Sequence, residues 1–352
     1  MIPAFLITLS SLVPGLGDAP RGGSGAEEPT LKPLISIALP AVEGRIDHLA
    51  YQPARGETTT AGALAGTLHV AALENGTLEV VDLARGVALA PFTWPTQPQG
   101  VIHVESSGEA GVTAVADGAR GDLLLYEWES QTDRAAVPRR IVRVGDDADN
   151  VRRILGTRTL VVGYGDGGLA LCDERAGRVT SRIALDGHPE SFQIDAAGKR
   201  AWVNVPSTRS IAVVDLEAGK VVRSIALKTA RQNYPMALSQ GERRLLVGCR
   251  DPGRLLVFDT DTDALLTELP LSGDVDDVFV DDARKLVYAS CGEGFVDVFE
   301  RTAPGTWKAR ERVATAAGAR TCLFVPERRL LFVAVPHRGE QRAEIRVFST
   351  AP

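Results

Sequence analysis

The stretch HPESFQIDAAGKRAWVNVPSTRSIAVVDLEAGKVVRSIAL, residues 188–227, decides the fold. It divides into four short apolar runs. His188 to Ile194 reads as a first strand, Arg200 to Val205 as a second, Ser210 to Asp215 as a third and Val221 to Leu227 as a fourth. The runs are rich in β-branched residues, and Gly-containing turns such as Ala196-Ala197-Gly198-Lys199 and Glu217-Ala218-Gly219-Lys220 separate them. Each run is too short for a typical helix, so the unit reads as an antiparallel meander.

The end of the third strand, Val213-Val214-Asp215, recurs along the chain. It is matched by Val80-Val81-Asp82, Leu125-Tyr126-Glu127, Leu171-Cys172-Asp173, Val257-Phe258-Asp259, Val298-Phe299-Glu300 and Val347-Phe348-Ser349. Successive ends lie 45, 46, 42, 44, 41 and 49 residues apart, the period of a four-stranded propeller blade. Seven third strands need seven fourth strands, yet the sequence ends at Pro352, just past the last third strand. Leu34-Ile35-Ser36-Ile37-Ala38-Leu39 closely matches Val222-Arg223-Ser224-Ile225-Ala226-Leu227. The expectation is an all-β, seven-bladed β-propeller over residues 31–352, whose ring is closed by the N-terminal strand completing the last blade. Closure of this kind covers edges that would otherwise invite pairing with other chains.

Segments such as Leu68 to Asp82 and Arg200 to Val205 resemble the YVTN-repeat β-propellers, the YncE-like family. The resemblance spans nearly the whole chain, although Trp202-Val203-Asn204 and Tyr288-Ala289-Ser290 are degenerate copies of the Tyr-Val-Thr-Asn repeat. A WD40 reading is weaker, because no Gly-His and Trp-Asp pair marks each blade. The resemblance implies a seven-bladed and often exported propeller. It does not imply one activity.

Composition agrees with a globular β protein. The 352 residues are 44% hydrophobic and 24% charged, with 35 glycines and 20 prolines to make turns. A net charge of −6 with no basic block argues against a nucleic-acid partner. Met1 to Gly17 is mostly apolar and is followed by a polar, Gly-rich tract, so residues 1–30 read as a signal peptide and flexible leader. No other run approaches a membrane span. The expected location is periplasmic or secreted; the alternative is a disordered leader without an export role. Cys172, Cys249, Cys291 and Cys322 have no metal-ligand spacing and read as small core residues.

Polar residues that can carry chemistry gather where first strands begin and where second strands turn into third ones. In a propeller both places open on one mouth of the central channel. The candidate ligand-binding set is Arg45, Asp47, His48, Asn150, Arg152, His188, Glu190, Asn233, Asp276, Asp277, Arg320 and His337. The opposite-face turns, such as Gln240-Gly241-Glu242-Arg243, are ordinary solvated turns. His69 and His103 lie inside strands and read as packing residues.

His48, His188 and His337 with Asp47, Glu190, Asp276 and Asp277 can hold a divalent metal, Ca, Mg or Zn, or act as acids and bases around a ligand. His188 comes from half-way round the ring, which argues against one compact three-histidine site. The arginines, with Arg250 among them, either pair with the acids or fork a carboxylate or phosphate. Asp and Asn in such turns also cap strand amides, a purely structural use. No nucleophile elbow, phosphate loop, zinc-protease motif or dinucleotide fingerprint is present. The expected function is binding of a small-molecule ligand or a protein partner at the channel mouth. The alternative is a metal-assisted, lactonase-like hydrolase or lyase at the same place.

Overall fold

A computed structural model describes residues 29–54, 60–105, 111–128 and 137–350. The expected leader therefore lies, apart from Pro29 and Thr30, outside the described residues. The strands form seven separate four-stranded antiparallel sheets, and the chain is a seven-bladed β-propeller. Blades 1 to 6 span residues 49–88, 98–143, 151–184, 192–226, 231–270 and 275–314. Blade 7 combines Cys322–Val325, Leu330–Val335 and Glu344–Thr350 with the N-terminal strand Leu31–Ala38.

Blade 4 shows why the sequence folds this way. Its second and third strands, Arg200–Val205 and Ser210–Asp215, fall where the sequence puts them. The third strand is buried along almost its whole length because neighbouring blades cover both its faces, so it reads as a continuous apolar run. The outer strand Lys220–Ala226 alternates and is largely exposed. The first strand is shorter than expected, Phe192–Ile194. Pro189 has no N–H to donate, so the regular ladder begins only past it.

Six of the seven strand ends occupy equivalent places. Asp82 pairs with Thr67, Asp173 with Thr159, Asp215 with Arg200, Asp259 with Arg244, Glu300 with Leu286 and Ser349 with Leu330, each at the start of a second strand. Glu127 sits against Val112, one residue inside its strand.

The ring closes through Leu31–Ala38, which pairs antiparallel with Glu344–Thr350, Ile35 opposite Val347 and Ile37 opposite Ile345. The strand starts three residues earlier than Leu34, the expected first residue. Ile37 and Leu39 are each 1% exposed and pack with Phe332, Ile345 and Val347 of blade 7 and with Leu68 and Val81 of blade 1. One strand thereby seals the seam between the first and last blades.

All four cysteines are buried and free, and burial pushes the Cys172 and Cys249 thiols up to about 12. They act as small core residues. His69 and His103 are also packing residues: a His69 ring nitrogen meets Gln52 Oε1 at 3.0 Å, and His103 Nδ1 meets Thr113 Oγ1 at 3.0 Å. Among the described residues no helix is long and apolar enough to cross a membrane.

Candidate functional site

The first strands line the axis, and their ladder bonds define levels around it. Asp47 N donates to Ala71 O, Asp149 N to Gly163 O and Glu190 N to Asn204 O, which places these three acids at one level. In blades 2, 5 and 6 an irregularity at the start of the first strand brings Gln99, Tyr234 and Asp276 to that level. In blade 7 the Ala334 N–Thr321 O bond places Arg320 there. The mouth is thus ringed by Asp47, Gln99, Asp149, Glu190, Tyr234, Asp276 and Arg320, one from each blade. Four are acids, and no two adjacent blades carry the same residue.

The candidate residues sort by level. Asp47, Glu190, Asp276 and Arg320 belong to the ring itself. Arg45 and His188 stand two residues before it, on the outside. His48, Asn150 and Asp277 stand one residue after it, and Arg152 three after. Asn233 falls one residue before the ring, at the place taken by Ile46, Ala148 and Val275 in other blades. It is fully buried in the seam between blades 4 and 5, where its Nδ2 donates to Asn204 Oδ1 and Ser210 O. His337 pairs instead with Glu43 at 2.7 Å and lines a separate hollow with Pro40 and Val42.

Blades 5 to 1 carry the arginine half of the mouth. Arg250 donates to Asp276 Oδ1 at 2.5 Å and to Val275 O, and its guanidinium lies 4.0 Å over the Tyr234 ring. Arg320 donates to Asp274 at 3.0 Å, and Arg45 lies 3.5 Å from Asp47 and 3.9 Å from Asp276. These arginines are used up on neighbouring carboxylates. Even so, burial, only partly offset by Arg250, pushes Asp276 up to about 6. His48 sits between Asp277 at 3.5 Å and Asp47 at 3.9 Å. Burial alone would push its imidazole down, but the two carboxylates outweigh it and hold it at about 10. Asp277 also accepts from Cys322 N at 2.8 Å, tying blade 6 to blade 7.

Blades 3 and 4 carry the other half, where acids outnumber bases. His188 Nδ1 meets Gly165 O at 2.7 Å, and its Nε2 lies 3.6 Å from Asp149 Oδ2. Donor atoms of Asp149, His188 and Glu190 all lie within 4.8 Å of one another. Burial raises the Glu190 carboxyl far above its ordinary range, and Asp149, Asp276 and Asp47 push it the same way. The Asp149 carboxylate raises His188. Asp149 is held by close packing, since a Cβ on Gly100 would stand 2.4 Å from Asp149 O.

Below the ring lies a hollow of about 320 Å³ whose wall comes from first strands of all seven blades. Ile102, Arg152, Gln193, Ala237, Phe279 and Leu323 are among its lining residues, and Arg152 is the one arginine. Arg152 Nη1 donates to Val151 O at 2.8 Å, and the guanidinium stands 5.7 Å from the Phe192 ring centroid. Of Arg45, Arg152, Arg250 and Arg320, only Arg152 lacks a carboxylate within ion-pair distance among the described residues. Burial lowers its pKa, and Asp277 and Asp149 offset this only in part.

Asp149, Gln99 and Tyr234 stand in polar first-strand entries but fall outside the candidate set. The ladder equivalence of Asp149 with Asp47 was the available signal.

No family model matches the chain, and no curated protein does. Solved structures do. One chain of Kuenenia stuttgartiensis hydrazine synthase is similar with a TM-score of 0.70 at 14% identity, covering 85% of this chain and 99% of that one. A chain of a mitotic checkpoint complex is similar with a TM-score of 0.70 at 11% identity, covering 98% of this chain and 100% of that one. Identities this low show the propeller fold alone. Propellers serve as scaffolds for ligands and partners of many kinds, so the site must supply the function.

Proposed function

We propose that the chain is a binding module that captures a small anionic ligand, one carrying a carboxylate or phosphate, in the hollow beneath the channel mouth. Arg152 carries this reading. A half-buried guanidinium with no carboxylate at ion-pair distance is costly to keep, and its planar fork matches a carboxylate or phosphate bidentately. The hollow of about 320 Å³ suits a small metabolite. The unlike side chains above it offer contacts that orient one ligand rather than many. The proposal includes membership of the YVTN-repeat propellers, resting on the degenerate repeats. It also includes a periplasmic or secreted location, resting on the apolar run Met1 to Gly17. A second reading, a metal-assisted hydrolase or lyase at the same mouth, is favoured by the gathering of Asp149, His188 and Glu190.

Calorimetric titration of the full chain with inorganic phosphate and a series of small dicarboxylates tests the anion reading. Arg152→Gln should weaken binding about tenfold to a hundredfold, the worth of a hydrogen bond to a charged group. Its melting temperature should hold, because no ion pair at contact distance is lost with the guanidinium. Binding that survives Arg152→Gln undiminished, or no binding of any small anion at millimolar concentration, refutes the reading. The second result would turn attention to a protein partner docking on the mouth.

A further inference from the structure

We infer that Asp149, His188 and Glu190 hold a divalent metal ion at the channel mouth, of the class that accepts one imidazole nitrogen and two carboxylate oxygens, zinc or manganese. The inference goes beyond the anion reading and rests on different residues.

Three observations support it. First, the spacing fits an ion better than a hydrogen bond. His188 Nε2 and Asp149 Oδ2 are 3.6 Å apart, too far for a good hydrogen bond. Two donors each about 2.1 Å from a tetrahedral ion stand about 3.4 Å apart. The whole set spans no more than 4.8 Å, so a modest swing of the Glu190 side chain closes it.

Second, the histidine is oriented as a ligand. Its Nδ1 meets the Gly165 carbonyl at 2.7 Å and so donates, which leaves Nε2, facing Asp149, as the nitrogen an ion would take. Metal-bound histidines commonly anchor their second nitrogen in this way, which sets both tautomer and ring angle.

Third, the backbone supports the set. His188 and Glu190 are two residues apart, just before the strand Phe192–Ile194. Glu190 N bonds to Asn204 O, Asp149 N bonds to Gly163 O, and Gly100 packs against Asp149 O. The ligands thus come from ladder-bonded positions of two adjacent blades. The charge is also right. Arg45, Arg250 and Arg320 serve Asp47, Asp274 and Asp276, and none of them lies within ion-pair distance of Asp149 or Glu190 among the described residues. Two carboxylates and a neutral imidazole balance a divalent ion. Three protein ligands leave coordination positions for water or a bound molecule.

The test uses the full chain, stripped with chelator and titrated with Zn²⁺ by calorimetry and with Co²⁺ by visible absorption. The expected result is one ion per chain, with a Co²⁺ spectrum that reports nitrogen and oxygen ligands. His188→Ala should weaken binding at least a hundredfold and abolish the spectrum. Asp149→Asn and Glu190→Gln keep side-chain size and should each weaken binding tenfold or more with the fold intact by circular dichroism. Glu43→Gln, outside the set, should change nothing. The readouts differ, Zn²⁺ here and a small anion there, so failure of the anion reading and failure of this one are separable. Fewer than one ion per wild-type chain overturns the inference. So does unchanged Zn²⁺ affinity in folded Asp149→Asn and Glu190→Gln.

Discussion

Removing the closing strand should cost the propeller a large part of its stability, while removing residues 1–29 should cost nothing. Two truncations bracket the strand. Deleting residues 1–29 keeps Thr30, whose N–H donates to Glu311 Oε2 and whose hydroxyl accepts from Arg310. It also keeps all of Leu31–Ala38. Deleting residues 1–40 removes Leu31, Ile37 and Leu39, which are 3%, 1% and 1% exposed. Three such side chains are worth about 5–9 kcal/mol in buried apolar surface, against a typical total of about 5–15 kcal/mol for a folded domain. The deletion also bares the Glu344–Thr350 edge and the Phe332, Ile345 and Val347 side chains beneath. A point mutation isolates the effect. Ile37→Ala should cost about 2–5 kcal/mol, whereas Ile35→Ala, at a residue 40% exposed on the same strand, should cost about 0.5 kcal/mol or less. Urea denaturation followed by circular dichroism measures all four variants, and size-exclusion chromatography detects association through the bared edge. Equal midpoints for the two truncations, or equal costs for the two alanines, would refute the closure.

Two histidines should shift stability with pH in opposite windows. Burial holds His69 down to about 3, so between pH 6.5 and 3 the unfolded chain binds a proton that the folded one refuses. Stability should fall as pH drops through that window, by up to about 1.4 kcal/mol per unit, and His69→Gln should remove that part of the slope in urea midpoints at pH 7 and 5. His48, held at about 10, contributes stability that is fully present below pH 6.5 and lost as pH rises toward 10. His48→Asn should flatten the alkaline limb measured in the same assay. Gly100→Ala, which sets a methyl 2.4 Å from Asp149 O, should lower stability by about 1–3 kcal/mol in thermal melts and weaken Zn²⁺ binding.

The blade count and the closing strand were legible in the sequence because each rests on local pattern. Third strands lie between two neighbouring blades and must be apolar on both faces, so Val213-Val214-Asp215 and its six counterparts stand out at intervals of 41–49 residues. The closing strand was visible because Leu34 to Leu39 repeats the outer-strand pattern of Val222 to Leu227. Gathering of Asp47, His48, Glu190, Asp276 and Asp277 at one mouth followed from topology alone, since first strands must start on the same face.

Tertiary structure decided which polar residues touch. Asn233 and Tyr234 are neighbours in sequence, yet an irregularity between Asn233 and Met236 sends the amide into the seam and leaves Tyr234 in the ring. A bulge adds one residue to a strand and reverses every later side chain, and nothing in a single sequence marks where it falls. His188 meets Asp149 across a blade boundary, 39 positions away. His337, expected beside the other mouth histidines, pairs with Glu43. Among the described residues, Arg152 alone of Arg45, Arg152, Arg250 and Arg320 has no carboxylate within ion-pair distance. Strand pattern sets a residue's level in its own blade, because the ladder is local. Its partners come from the next blade, and their distance depends on how seven sheets pack around one axis.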